Sequence, residues 1–312
     1  MIDEIATVLD INYDAAYRRV NGRTQLSLEE SVILAKHYNI SLNDLFKVGD
    51  PVRIIMTKTV EVNNAQSLEE YFKRVNKHLT PLEFNKAASI FYGANELPIF
   101  YILRDNSLFR FKLFVWLQIL DKDSAKNISF KNFSFPESLI ETALETGRKY
   151  DNVKISEMWS DGIINNTLNQ ISYFYEINLL EFKEAIEICN NLTSILKDIE
   201  KSCHTGKREI KNSTPFKLFS NEVMNLNNNI LIKNGNQKIL FAPYTLHHYY
   251  MIEDQVNCDM MDDFFNKRRL LSKQITNSGI KNITLFFKPK FVKINNLLKR
   301  LKLLNEVESI DS

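Results

Sequence analysis

Cysteine is scarce in this chain: Cys189, Cys203 and Cys258 are the whole complement of its 312 residues. They are odd in number and follow no CxxC spacing, which excludes a disulfide framework and points to free buried thiols in a reducing cytoplasm. Glycine is scarce too. Its eight residues are scattered singly, so no phosphate-cradling loop can be drawn. The five histidines are His37, His78, His204, His247 and His248. Cys203-His204 and His247-His248 are sequence neighbours and cannot both aim at one ion as HxxxH or CxxC spacing allows, so neither a metal nor any other cofactor is expected. Serine, cysteine and lysine nucleophile signatures are missing. Glu157 beside Trp159, and Glu222 after Asn221, read as structural carboxylates, and the chain is not expected to be an enzyme.

Charge of one sign is lacking as well. Forty basic residues face 38 acidic ones, a net charge of +2 that names no partner by itself. Long apolar runs are absent: the most apolar stretch, Leu108 to Leu120, is interrupted by Arg110 and Lys112 and is too short to span a bilayer. With no signal peptide ahead of the first helix, the expectation is a cytoplasmic protein with no membrane partner. What is present, 44% apolar and 25% charged residues, is an ordinary globular composition with length for two or three domains.

Residue order becomes informative in the stretch from Ile5 to Phe46. A first helix with Ile5, Ala6, Val8 and Leu9 inside ends at Asp10-Ile11, and Asn12 stands where an N-cap belongs. The second helix, Tyr13 to Asn21, closes at Gly22, a left-handed C′ position. Ser27 and Glu30 form a capping box for a third helix along Leu28, Val32, Ala35 and Tyr38. Ser41 caps a last short turn with Leu42, Leu45 and Phe46 as its apolar contacts. Two short helices joined by a tight turn are the shape that lays one helix in a DNA major groove.

These residues resemble the lambda-repressor-like, or Xre-type, helix-turn-helix family in register from Ala6 to Phe46. The matching positions are Ala6, Ile11, Arg18, Gly22-Arg23-Thr24, Ser27-Leu28-Glu29, Leu34-Ala35-Lys36 and Ile40-Ser41-Leu42-Asn43-Asp44-Leu45. Asp10 occupies the turn position where the family usually has glycine. Arg19 and Val20 replace an apolar and a polar residue. Met1 falls inside what should be the supporting helix, so on this resemblance the family's first helix is expected to be missing. The resemblance implies a transcriptional regulator that binds double-stranded DNA as a homodimer, with Tyr13 to Asn21 as the recognition helix.

On that helix Tyr13, Asp14, Tyr17, Arg18 and Asn21 share the face that Ala16 and Val20 do not bury, and are the expected base contacts. Arginine and asparagine read guanine and adenine edges by paired hydrogen bonds. Arg23 and Thr24, in the turn that follows, are placed for phosphate. Against this stands the charge of residues 1–50, where five basic side chains face eight acidic ones, a net −3. Phosphate neutralisation supplies non-specific affinity, so such a head binds weakly alone. The alternative is a protein-interaction scaffold carrying a degenerate helix-turn-helix.

Four segments are expected: the head at 1–50, a linker or strand at 51–66, a helical domain at 67–205, and an α+β domain at 206–312. Gly49-Asp50-Pro51 is the break, and Arg53 to Val62 reads as a strand or extended arm. Ser67 opens a helix to about Leu79. Thr80-Pro81 starts another, with Phe84, Ala87, Ala88 and Phe91 inside. The aromatic residues between Leu97 and Leu120 read as the core of a central helix, and further helical faces run through 155–177 and 180–203. Asn229 to Ala242 flanks Asn234-Gly235 with two apolar runs, a hairpin signal, and Thr245 to Ile252 adds a third strand. From Lys281 to Lys302 a basic amphipathic helix carries the stripe Phe291, Ile294, Leu297, Leu298, Leu301 and Leu304, which docks on its own domain or pairs with a second copy. The fold class expected is mainly α: a helix-turn-helix head, a helical central domain, and a small antiparallel sheet with helices at the C-terminal end (α+β). No ligand is named beyond an unidentified effector.

Overall fold

The computed structural model describes residues 1–38, 40, 42, 56–59, 61–120, 128–208, 213–221 and 226–311. The chain divides into two compact units, Met1–Ile55 and Met56–Ser312. In the first, α1 (Ile2–Leu9), α2 (Tyr13–Val20) and α3 (Leu28–Tyr38) pack together. Of the expected last turn only Leu42 is among the described residues, and the Gly49-Asp50-Pro51 break lies outside them.

The second unit runs β1 (Thr57–Lys58), α4 (Ala65–Glu83), β2 (Ser89–Ala94), α5 (Ile99–Ile102), α6 (Ser107–Leu120), a 3₁₀ turn at Phe130–Asn132, α7 (Glu137–Asp151), β3 (Lys154–Trp159), α8 (Asn165–Glu176) and α9 (Phe182–Thr205). It continues with β4 (Lys207–Arg208), β5 (Thr214–Ser220), β6 (Asn229–Asn234), β7 (Gln237–Thr245), β8 (His248–Ile252), α10 (Gln255–Leu270), β9 (Lys273–Gln274) and α11 (Ile280–Asp311).

Among the described residues its nine strands form one mixed sheet ordered β1-β8-β7-β6-β2-β3-β5-β4, with β9 also on β5. β2, β3 and β5 run parallel at its centre, and the other pairings are antiparallel. This overturns the expectation of a mainly α chain with a small antiparallel sheet: the architecture is α/β. Strands taken from the stretch expected to be helical and strands from the last third share the same sheet.

The physical reason lies in β2 and β3. Parallel central strands are covered on both faces, so their side chains do not alternate apolar with polar. Ile90, Tyr92 and Ala94 point to the helical side and Phe91 to the opposite side, each against buried neighbours. A run such as SIFYGA therefore looks the same as one turn and a half of buried helix. Likewise Ile155, Glu157 and Trp159 alternate with Ser156 and Met158 across the pleat of β3, where a helical face was expected.

Most helices cover one face of the sheet, in a core that includes Phe72, Phe109, Phe111, Phe114, Tyr150 and Trp159. The other face is closed by α10, whose Cys258 and Phe265 meet Phe91, Met158, Leu231 and Leu240. The aromatic run of 97–120 is core as expected, broken into α5 and α6. The first helix after the head does not stop before Thr80-Pro81. It continues through Pro81, with Leu79 and Leu82 buried on either side.

The expected hairpin forms one residue later, with Asn234 facing Gln237 across Gly235-Asn236 and Gly235 at a φ of 63°. The stripe on α11 faces inward, with Ile294, Leu297 and Leu301 buried and the helix packed on α9. All three cysteines are free and buried.

Candidate nucleic-acid interface

The head is built by turn chemistry. α1 ends with Asp10 in the left-handed region, φ 52° and ψ 48°, and the Ile11 amide donates back to the Ala6 carbonyl at 3.0 Å. Aspartate is one of the few side chains that enter this region at small cost, so it serves at the turn position where glycine is usual. Asn12 then caps α2, its Oδ1 accepting from the Ala15 amide at 2.8 Å.

At the other end Gly22 (φ 69°) donates to the Arg19 carbonyl at 3.1 Å, and Arg23 to the Arg18 carbonyl at 2.8 Å, a Schellman closure. Ser27 and Glu30 complete a reciprocal box at the start of α3, at 3.1 and 2.9 Å. α2 is thus fixed at both ends although it buries only Ala16.

All seven residues expected to touch DNA are exposed: Tyr13, Asp14, Tyr17, Arg18 and Asn21 on or at the end of α2, and Arg23 and Thr24 in the turn. Arg18 has no salt bridge or side-chain hydrogen bond among the described residues, so its guanidinium extends freely from α2. Asn21 is partly committed, since its Nδ2 donates to the Tyr17 carbonyl at 2.8 Å. The Arg23 guanidinium lies 5.9 Å from the Tyr17 ring centroid. Val20, read as buried, is 39% exposed, and Leu28, the first of the helically spaced apolar positions of α3, is 73% exposed.

Arg19 does what sequence reasoning did not assign. Its Nε and Nη2 donate to both oxygens of Glu30, at 3.0 and 2.7 Å, while Nη1 reaches the Ala15 carbonyl at 3.2 Å. The bidentate pair ties α2 to α3 and orients the exposed face. It also holds the Glu30 carboxyl below its ordinary range, chiefly through the Arg19 hydrogen bonds and next through the Ser27 amide. The available signal was Arg19 at a position usually apolar, eleven residues before a capping glutamate.

Two carboxylates noted in the sequence stand elsewhere. Glu157 lies in the core of the second unit, its Oε1 accepting from Tyr101 (2.9 Å) and Tyr150 (2.7 Å) and its Oε2 from Trp159 (2.7 Å). Glu222 is outside the described residues. No described helix is long and apolar enough to cross a membrane.

No family model matches this chain, and no curated protein matches it. Among solved structures it aligns with TrmBL2, an archaeal chromatin protein whose structure shows a novel mode of DNA binding. The alignment covers 83% of this chain and 68% of that one at 9% identity and a TM-score of 0.24. A likeness of that extent carries no inference about this chain.

Proposed function

We propose that the chain is a sequence-specific, DNA-binding transcriptional regulator rather than an enzyme, with α2 as the helix that enters the major groove. The observation that carries this reading is the outward set Tyr13, Tyr17, Arg18 and Asn21, with Arg23 and Thr24 beside it, on a helix capped at both ends and tied to α3 by Arg19. Arg18 reads a guanine edge, and Arg23 and Thr24 hold the phosphates that set its register. Because residues 1–50 carry a net −3, one head gains little from phosphate neutralisation. Two copies on half-sites one helical turn apart, about 34 Å, supply the missing affinity.

The test is anisotropy with duplexes recovered by selecting bound fragments from genomic DNA, across a salt series. Arg18→Ala is expected to weaken binding to the selected site by about 5-fold to 150-fold, a cost of about 1–3 kcal/mol. Absence of salt-sensitive binding by the intact chain, or an Arg18→Ala variant that binds as well as the parent, would refute the proposal.

A second reading, an interaction scaffold with a degenerate helix-turn-helix, is favoured by the same negative charge and by the exposure of Leu28 and Val20. It requires that the intact chain retain no duplex at low salt.

A further inference from the structure

Between α4 and the strands β1, β8, β7, β6 and β2 lies a cavity of about 520 Å³, within the range of about 300–1,000 Å³ typical of small-molecule sites. Its two ends differ in chemistry. The floor is aliphatic and aromatic: Ile90, Ile230, Ile232, Phe241 and Met251 from the sheet, and Val75 from the helix. The rim is basic. Lys58, Lys73, Arg74, Lys77 and His78 stand there, and among the described lining residues they face one carboxylate, Glu70.

The rim residues are not equivalent. Lys73 is already engaged by Glu69 and Glu70, at 2.8 and 3.0 Å. Lys58 lies 5.4 Å from the centre of the Tyr244 ring. Arg74 and Lys77, three positions apart on α4 and so on neighbouring parts of one face, have no ion pair or side-chain hydrogen bond among the described residues. His78 packs edge-on against Phe241, ring centroids 5.3 Å apart. Burial lowers its pKa, so it enters the cavity as a neutral ring with both a donor and an acceptor. Apolar depth beneath two uncommitted cations is the complement of a molecule with a hydrocarbon body and one anionic head.

We propose that this cavity binds an amphipathic organic anion of the medium-chain aliphatic carboxylate type, with the chain over Ile232 and Phe241 and the carboxylate between Arg74 and Lys77. On the proposed reading as a regulator, such a ligand would serve as its effector. The site stands without the DNA reading, because binding is measured on the full chain with no nucleic acid present.

The experiment is calorimetric titration of the full chain with decanoate, set beside decanol, which lacks the charge, and butyrate, which lacks the body. One decanoate per chain is expected, with decanol at least tenfold weaker and butyrate undetectable. Arg74→Ala with Lys77→Ala, both exposed positions, should weaken decanoate at least tenfold at an unchanged melting temperature. Val75→Trp should abolish binding by filling the space. Val75→Leu keeps the volume nearly constant and should bind as the parent does, which separates filling from misfolding.

No saturable decanoate binding by the parent would overturn the proposal, as would equal affinity for decanol. Binding that survives both the double alanine and the tryptophan variants would also overturn it. A concentration-dependent dimer broken by Val75→Trp, with no decanoate bound, would assign the groove to a second copy and overturn it too.

Discussion

Glu157 shows how much depends on single side chains here. A fully buried carboxylate is costly unless its lone pairs are used, and three donors from α5, α7 and β3 use them: Tyr101, Tyr150 and Trp159. Burial raises its pKa, while the Tyr150 and Tyr101 hydrogen bonds and the Arg208 charge pull it back. In Glu157→Gln the amide can be turned either way, yet at least one of the three donors is left without an acceptor. The expected cost is about 1–3 kcal/mol, read as a shifted urea midpoint at unchanged slope.

His247 is the counterpart among bases. It is buried beside Trp116 and Tyr71, and its pKa is lowered to about 3, first by burial and then by His248 and Lys112. The unfolded chain takes up that proton near pH 6.5 and the folded protein does not, so the unfolded state binds more protons between the two values. Stability from this group is full above about pH 6.5 and falls toward pH 3 by up to about 1.4 kcal/mol per unit. His247→Gln should flatten that part of the stability profile, measured by denaturant unfolding from pH 7 to pH 4.

At the scale of elements, close packing of α7 on the end of α5 sets the position of Tyr150 and Asp151. Gly147 permits it. A Cβ there would lie 2.5 Å from the Leu103 carbonyl oxygen and 2.9 Å from the Leu103 Cβ. Alanine would improve helix propensity by about 1 kcal/mol, but the overlap is with backbone, which cannot rotate aside. The overpacking cost of about 1–3 kcal/mol wins. Gly147→Ala should therefore lower the melting temperature, although an exposed helical glycine replaced by alanine would raise it.

The same helix presents Asp151 to Arg104, at 2.5 and 3.0 Å, and its carboxylate lies 3.6 Å from Arg208. Disturbing it unsettles a buried ionic cluster as well as Glu157. Elements of the head are held differently, by caps and by the Arg19–Glu30 pair, with little apolar burial behind them.

For the whole molecule, that contrast predicts unequal stability. Among the described residues of 1–55 only Leu9 and Ala16 are buried, whereas residues 56–312 enclose two extensive apolar clusters on the two faces of one sheet. Calorimetry should give two transitions, the smaller one first, and a limited protease digest near the first midpoint should leave a fragment beginning close to residue 56. One cooperative transition for the full chain would contradict this.

Local features were legible in the order of residues because their signals are local. The Asn12 cap, the Gly22 closure, the Ser27–Glu30 box, the turn at Gly235 and the inward stripe of α11 each depend on neighbours within four positions or on one repeated spacing. The seven side chains of the proposed DNA face could be placed on one surface for the same reason. Pairing of β2 with β3, and of β3 with β5, joins residues some sixty positions apart. Strands buried on both faces lose the alternation that would announce them, so only the tertiary structure decided that the second unit is an α/β sheet and not a helical bundle. It also decided what no spacing encodes: the three donors around Glu157, the hold of Arg19 on Glu30, and the basic-rimmed cavity under α4. Each depends on how separate elements pack, from α5 and α7 against β3 to α2 against α3, at distances only the folded chain sets.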